Sequence, residues 1–214
     1  MKDTDTCDRT GATRVHPFSH IVRRNNFEDV LAAREGKAEQ DSIPLISPTV
    51  YAHVDQSYDG AVQILRQESN QDEAQRLGKT RWGIINLWRP IGKPVLRSPL
   101  TLCDARSVAD EELLPVVAKL PSKNAGGFEN ATKGDGFEIW QLISGKEREH
   151  KWYFASEMKP EECWLIKCFD SKLDGRARRA PHAAFELLWT KAGEPPRESI
   201  EVRYLVFWED DPVE

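Results

Sequence analysis

The pattern of apolar positions is helical in several early stretches of the chain and extended in most later ones. Residues 25–37 begin with asparagine, carry acidic residues in the first turn and end near a glycine, which predicts a helix. Residues 59–79 repeat Ala, Ile and Leu at helical spacing and predict a second helical region. Residues 1–20 are polar and contain Gly11 and Pro17, so we expect a loosely ordered leader.

Short runs rich in β-branched and aromatic residues predict strands. One run reaches His53 after two prolines, and a long run over 195–208 approaches the end of the chain. Residues 109–120 predict a short helix that Pro115 interrupts, and the Gly- and Asn-rich residues 121–136 predict a loop. The other apolar runs of this kind are 80–91, 98–108, 137–143, 150–158 and 162–171.

Neither an internal repeat nor a low-complexity linker divides the sequence. Short extended segments dominate its last two thirds, and a chain of 214 residues can bury a sizeable core. The pattern therefore predicts a single α+β domain over residues 21–214, mainly β, built on an antiparallel jelly roll or barrel with flanking helices.

Composition narrows the class of protein. Charged residues make up 30% and hydrophobic residues 39%, and the net charge of -5 comes from dispersed cations and anions. This balance argues against nucleic-acid or membrane partners, which favour a basic stripe. Because the sequence has neither a long apolar run nor an apolar N-terminal region, and its four cysteines show no CxxC spacing, we expect a cytoplasmic protein with free thiols.

The segment VYAHVDQSYDG, residues 50–60, carries the first candidate for chemistry. On an extended chain His53 and Asp55 project from the same side. Such a pair is most often the solvent-facing side of a strand, but His182 stands alone after Pro181 at the start of an apolar run. Two histidines and one carboxylate form the set that binds non-haem Fe(II) and leaves coordination positions open.

A second candidate lies in PRESIEVR near the end of the chain. Arg197 and Ser199 are two residues apart and share one face of a strand with Glu201 and Arg203. An arginine fork beside a hydroxyl forms a receptor for a carboxylate.

The order H-x-D, distal His and R-x-S resembles the Fe(II)/2-oxoglutarate-dependent dioxygenases. More specific blocks resemble their fungal hydroxylase/desaturase branch, which includes gibberellin desaturase and relatives of the cephamycin methoxylation subunit. These blocks cover about residues 45–208 and include HVDQSYDGA, NLWRPI, SPLTLCDARSV, WYFASEMKPEECWLIKCFDS, RRAPHAAFE and PRESIEVRYLVF.

The resemblance implies a double-stranded β-helix, that is, a jelly roll, in which His53, Asp55 and His182 bind the catalytic iron. It implies that Arg197 pairs with the distal carboxylate of 2-oxoglutarate and that Ser199 donates beside it. Dioxygen would be the second co-substrate, and the expected reaction is hydroxylation, desaturation or oxidative cyclisation of a small secondary metabolite. A homodimer is one candidate assembly.

Two alternatives concern the carboxylate receptor. Arg203 is the rival anchor for the keto acid, in which case Arg197 is a charge at the rim. The basic residues 176–179 either form a solvated turn or attract an acidic substrate, and Trp152 and Tyr153 are candidate walls of the pocket.

The block NLWRPI offers two further polar candidates. Asn86 or Arg89 would meet the other end of the co-substrate, or the substrate, but Arg89 falls on the opposite strand face unless Pro90 bends the strand. A structural ion pair of Arg89 or Arg106 with Asp104 is the alternative.

Two other classes of function compete with the oxygenase. One is a non-catalytic jelly-roll protein that binds a small molecule, which the loss of a ligand residue would favour. The other is a cupin-type metal-dependent hydrolase or isomerase, which would need more histidine ligands than His53 and His182 supply.

Overall fold

The computed structural model describes residues 3–38, 41, 43, 45–118, 136–143, 149–191 and 193–213. The loop expected over 121–136 lies outside these residues except for its last position. The helices of the described part are α1 (Asp3–Thr10), α2 (Phe27–Arg34), α3 (Tyr58–Glu68) and α4 (Gln71–Leu77). None of them is long and apolar enough to cross a bilayer.

The strands form two antiparallel sheets. One has four strands in the order β1-β10-β3-β8, and the other has six in the order β5-β6-β2-β9-β4-β7. The strands are β1 (Arg14–Arg23), β2 (His53–Val54), β3 (Thr80–Pro90), β4 (Leu100–Cys103), β5 (Leu113–Ala118), β6 (Phe137–Leu142), β7 (Trp152–Phe154), β8 (Trp164–Asp170), β9 (His182–Ala184) and β10 (Ser199–Pro212). The mainly β class predicted from the sequence is confirmed.

The main core contains the apolar side chains that face inward from the two sheets. Ile84 and Leu205 from the four-stranded sheet belong to one buried cluster with Val54 and Phe137 from the six-stranded sheet. A second cluster on β3 and β10 includes Leu87 and Val206. Both central strands are therefore apolar on their two faces, which accounts for the nearly continuous hydrophobic runs in their sequences.

The expectation of a loose leader over residues 1–20 is wrong for the described residues. The strand β1 pairs antiparallel with β10 from Arg14 to Arg23, and only the irregularity between Pro17 and Ser19 interrupts the register. Its polar residues mask a strand whose hydrogen-bond partner lies almost two hundred residues away. Tertiary pairing therefore overrides the local composition.

The helix expected over 109–120 is also wrong. Residues Asp110–Glu112 form one turn of 3-10 helix, and Leu113–Ala118 form β5 at the edge of the larger sheet. Pro115 lies opposite Trp140 of β6. Proline is compatible with an edge strand because its missing N–H need not face a neighbour, and the following Val116 and Val117 favour extended structure.

The start of α3 fixes the chain just after Asp55. The hydroxyl of Ser57 accepts a hydrogen bond from the Gly60 amide at 2.9 Å and donates to Glu138 of β6 at 2.5 Å. A Cβ on Gly60 would lie 2.0 Å from the carbonyl oxygen of Glu138. The helix therefore packs directly against the β6 backbone, and only glycine permits this approach.

Replacing Gly60 with alanine is expected to lower the free energy of unfolding by about 1–3 kcal/mol, because the added methyl group overlaps the Glu138 carbonyl. The usual helix preference would give the opposite sign, since alanine favours a helix over glycine. Urea unfolding of this variant, with Arg66→Ala on the exposed face of the same helix as the control, measures the effect. Equal or higher stability of Gly60→Ala would contradict the close packing.

Candidate metal and co-substrate site

The two histidines singled out in the sequence lie opposite each other in the larger sheet. The register of β2 and β9 pairs His53 with His182, and their ring centroids are 4.6 Å apart. Asp55 follows directly after β2, with its Oδ1 3.3 Å from Nε2 of His53 and 3.8 Å from Nε2 of His182. All three side chains are buried. The structure therefore brings His182, which is distant in the chain, next to the His53–Asp55 pair.

Backbone carbonyls determine which ring nitrogens carry protons. Nδ1 of His53 lies 2.9 Å from the Tyr51 carbonyl oxygen, and Nδ1 of His182 lies 3.0 Å from that of Ala180. Since a carbonyl oxygen only accepts, each Nδ1 carries the proton, and each Nε2 presents a lone pair. Burial, together with the neighbouring His53, lowers the pKa of His182 to about 4, so that its ring is neutral near pH 7.

The donor set fits a divalent metal ion. The candidate ligand atoms of His53, Asp55 and His182 all lie within 4.8 Å of one another. Nε2 of His182 is buried and has no hydrogen-bond partner among the described residues. A buried polar atom without a partner is costly, and a metal ion would supply one. Two imidazoles and one carboxylate on one side of an ion suit Fe(II) and leave its other positions open.

The aspartate is held on the side away from the histidines. Nδ2 of Asn86 donates to Oδ2 of Asp55 at 2.6 Å, and Nε of Arg203 donates to the same oxygen at 3.0 Å. Asn86 on β3 and Arg203 on β10 are register partners, so the two donors arrive side by side. Burial opposes ionisation of Asp55, but the charge of Arg203, with smaller contributions from the neighbouring His53 and His182, holds its pKa well below its usual range. Oδ1 is thereby left to face the histidines.

The two candidates in NLWRPI have different outcomes. Asn86 is buried at the site, where its Nδ2 donates to Asp55 and its Oδ1 has no hydrogen-bond partner among the described residues, so its role at the co-substrate stays a prediction. Arg89 is register partner to Ile200, on the opposite face of the strand, and its Nε lies 3.4 Å from the Pro90 carbonyl. The pairing of β3 with β10 continues through Arg89 to Pro90, and Arg89 does not line the cavity that the two histidines line, so the interpretation of Arg89 as a co-substrate ligand is corrected. The alternative ion pair between Arg106 and Asp104 is present at 2.7 Å.

Arg203 is already matched by two carboxylates. Besides Asp55, it contacts Oε1 of Glu201 through Nε and Nη2, both at 3.0 Å. Burial lowers the pKa of Arg203, but Asp55 and Glu201 reverse the effect and raise it above its ordinary value. Burial and the nearby Asp55 raise the pKa of Glu201. As a rival anchor for the keto acid, Arg203 would have to give up these partners.

Arg197 lies in the same cavity as the histidines and has no carboxylate partner among the described residues. Its side chain is only 5% exposed, donates through Nη1 to the Ser98 carbonyl at 2.7 Å and lies over the Trp88 ring at 5.1 Å. Burial lowers its pKa to about 9. Ser199, 1% exposed, starts β10 two residues later. Arg197, a buried cation without a matching anion among the described residues, therefore has the character of a carboxylate receptor.

One cation at the site was missed in the sequence. Arg23 ends β1 directly opposite Ser199 and lines the cavity beside His53 and Arg197. The expected leader over residues 1–20 covers most of β1, so Arg23 was not recognised as the end of a strand. The alternation of Ser19, Ile21 and Arg23, which share one face of β1, would have revealed it.

The other candidates lie elsewhere. Trp152 and Tyr153 are exposed on β7, the edge strand, and do not line the cavity. In the cluster 176–179, Arg176 pairs with Asp174, Arg178 lies over the Tyr58 ring and Arg179 pairs with Asp110. These three arginines have structural partners, so their interpretation as an attractor of acidic substrate has no support in their contacts.

Comparison with known proteins agrees with this arrangement. The family described as oxidoreductase/YMDC permease-like domain matches residues 5–207. The hydroxylase/desaturase efuI of Hormonema carpetanum is 44% identical over 209 residues, 95% of this chain and 67% of that protein. The hydroxylase/desaturase CTB9 of Cercospora beticola is 42% identical over 96% of this chain and 61% of that protein. The chain belongs to the hydroxylase/desaturase family.

A solved structure is also similar to this hydroxylase/desaturase chain over most of its length. The iron and alpha-ketoglutarate-dependent endoperoxidase NvfI superposes with a TM-score of 0.74 at 29% identity, covering 95% of this chain and 66% of that one. The expected jelly roll is confirmed by this likeness. The chain spans roughly two thirds of the length of the relatives that it matches.

Proposed function

We propose that the protein is an Fe(II)/2-oxoglutarate-dependent oxygenase that hydroxylates, desaturates or cyclises a small molecule in the cytoplasm. The observation that carries the proposal is the convergence of His53, Asp55 and His182 in one cavity with Arg197, a buried cation without an ion-pair partner among the described residues. The named activities of the relatives support it.

The protein residues would divide the work between binding and orientation. His53, Asp55 and His182 would hold Fe(II), which when bound supplies activation of dioxygen for attack on a substrate carbon. Asn86 and Arg203 fix the direction of the Asp55 carboxylate. A ligand oriented in this way keeps the open metal positions in one place.

The keto acid would lie beside Arg197, and the cavity there, with a volume of about 20 Å³, would have to widen to admit it. Arg197 would hold the distal carboxylate through its fork, and Ser199 would donate beside it. Trp88 and Leu100 line the same cavity and would keep water from the reacting centre.

The substrate would enter from an outer cleft on the other side of the metal ligands. This cleft has a volume of about 340 Å³, and His53, Asp55 and Arg23 line it together with apolar residues of β1, α2 and the segment before β2. Small-molecule sites have volumes of about 300–1,000 Å³ and mostly apolar walls, so the cleft suits a small organic substrate.

The competing classes find less support. A non-catalytic binding protein would not need a complete ligand set, yet all three residues are present and converge. A cupin-type hydrolase or isomerase would need additional nitrogen ligands, whereas the candidate cluster within the described ranges holds only His53 and His182.

An anaerobic titration tests the proposal. Adding 2-oxoglutarate to the Fe(II)-loaded protein is expected to produce a weak visible charge-transfer band, and admitting air is expected to release succinate. If Fe(II) binds but 2-oxoglutarate gives neither the band nor succinate, the proposed activity is wrong. A metabolite panel scored by substrate-stimulated succinate release then identifies the substrate.

Replacing Arg197 with glutamine is expected to weaken 2-oxoglutarate binding by about 100-fold, because a buried charge-assisted contact to a carboxylate contributes several kcal/mol. The measurement is the 2-oxoglutarate concentration that gives half of the band, with Fe(II) affinity determined separately. Arg106→Gln, an exposed arginine already paired with Asp104, is the control. Unchanged 2-oxoglutarate affinity in Arg197→Gln would transfer the anchoring role to another residue.

A further inference from the structure

Arg23 is a second cation at the site that lacks an anionic partner. Its Nη1 donates to the Ser47 carbonyl at 2.6 Å, and it forms no ion pair with any carboxylate in the part of the chain that the structure describes. Burial lowers its pKa, although the charges of Glu201 and Asp55 oppose the effect. Arg23 is partly exposed, so its guanidinium can be reached from the cleft, and a ligand anion would give it the charged partner that it lacks.

The position of Arg23 distinguishes it from Arg197. Arg197 and His182 line the inner cavity but not the outer cleft, whereas Arg23 lines both. Ser47, which receives the hydrogen bond from Arg23, lines the cleft and not the inner cavity. The guanidinium of Arg23 therefore lies at the boundary, on the side from which the substrate would approach.

The charges at the site leave Arg23 available. Arg203 is matched by Asp55 and Glu201, and Arg197 would be matched by the distal carboxylate of the keto acid. When the three arginines are counted against Asp55 and Glu201, and a divalent metal ion against a dianionic keto acid, one positive charge remains at the site. The rest of that cleft is mostly apolar, with Ile21, Phe27, Val30, Leu45 and Ile46 on its walls.

We propose that Arg23 determines substrate specificity by binding an anionic group, such as a carboxylate, on an otherwise apolar small molecule in the outer cleft. The inference rests on the proposed oxygenase function and narrows its substrate class to apolar acids. An anion held by Arg23 would place the apolar part of the molecule along the cleft wall, beside His53 and Asp55. A neutral analogue of the same shape would lose this contact and bind more weakly.

Two fluorescent probes of similar shape test the inference. 8-Anilinonaphthalene-1-sulfonate is an apolar anion, and N-phenyl-1-naphthylamine has the same rings without the sulfonate. Both are titrated against the Fe(II)-loaded protein with saturating 2-oxoglutarate and without oxygen. The proteins compared are the unmodified chain, Arg23→Gln and Arg24→Gln, whose arginine is the exposed neighbour paired with Glu198. The 2-oxoglutarate affinity of each is read from the visible band.

Arg23→Gln is expected to lower the affinity for the anionic probe about tenfold or more and to leave the affinities for the neutral probe and for 2-oxoglutarate unchanged. Arg24→Gln is expected to change none of these affinities. Three results would overturn the inference. In the first, Arg23→Gln weakens the binding of both probes equally. In the second, Arg24→Gln weakens the binding of the anionic probe as much as Arg23→Gln does, or Arg23→Gln leaves that binding unchanged. In the third, Arg23→Gln weakens 2-oxoglutarate binding as Arg197→Gln does. Failure of the proposed oxygenase function shows separately, as absence of the 2-oxoglutarate band in the unmodified protein.

Discussion

The Arg203→Met protein is expected to unfold with a free energy about 3–5 kcal/mol lower than that of the unmodified chain. Arg203 is 5% exposed and contacts the carboxylates of Asp55 and Glu201, which are themselves buried. Removing the guanidinium leaves two neighbouring buried anions without their shared cation, and breaking such a pair on one side is strongly destabilising. Equilibrium urea unfolding of the metal-free protein measures the loss.

Two further variants identify the cause of that loss. Arg106→Met removes an exposed ion pair with Asp104 and is expected to change stability by less than about 1 kcal/mol. Adding Glu201→Gln to Arg203→Met removes one of the two stranded charges and is expected to restore part of the stability. If Arg203→Met unfolds like Arg106→Met, the buried charge network does not support the site.

Replacing His182 with alanine is expected to abolish Fe(II) binding at this site and with it all 2-oxoglutarate turnover. The variant leaves one imidazole and one carboxylate, which no longer form a three-point ligand set. Anaerobic calorimetry with Fe(II) measures binding, and circular dichroism checks that the sheets are retained. His16→Ala, which removes a half-exposed histidine next to Glu68, is the matched control. An unchanged Fe(II) affinity in His182→Ala would contradict the ligand assignment.

The convergence of the three candidate metal ligands was predicted from the sequence, whereas most of their neighbours were not. His53, Asp55 and His182 were predicted to act together because their order along the chain resembles that of the Fe(II)/2-oxoglutarate-dependent dioxygenases, and the structure brings them together across the β2–β9 pair. The alternation along β10 likewise places Ser199, Glu201 and Arg203 among the buried residues.

What the sequence did not reveal depends on contacts between distant strands. Asn86 was one of two open candidates, and only the register of β3 against β10 shows that it binds Asp55 while Arg89 faces away. Arg23 was hidden because the local composition around it is polar and its strand partner is at the other end of the chain. The prediction of a helix interrupted at Pro115 failed for the same reason. The pairing of the edge strand β5 with β6 depends on contacts that local residue preferences do not show.

A crystal structure of the protein grown without oxygen in the presence of Fe(II) and 2-oxoglutarate tests the central claim most directly. Anomalous scattering at the iron edge is expected to show one ion coordinated by Nε2 of His53, Nε2 of His182 and an oxygen of Asp55, with the distal carboxylate of the keto acid on Arg197. An iron peak away from these three atoms would contradict the metal site. A keto acid whose distal carboxylate binds Arg203 or Arg23 would contradict the division of roles among the arginines.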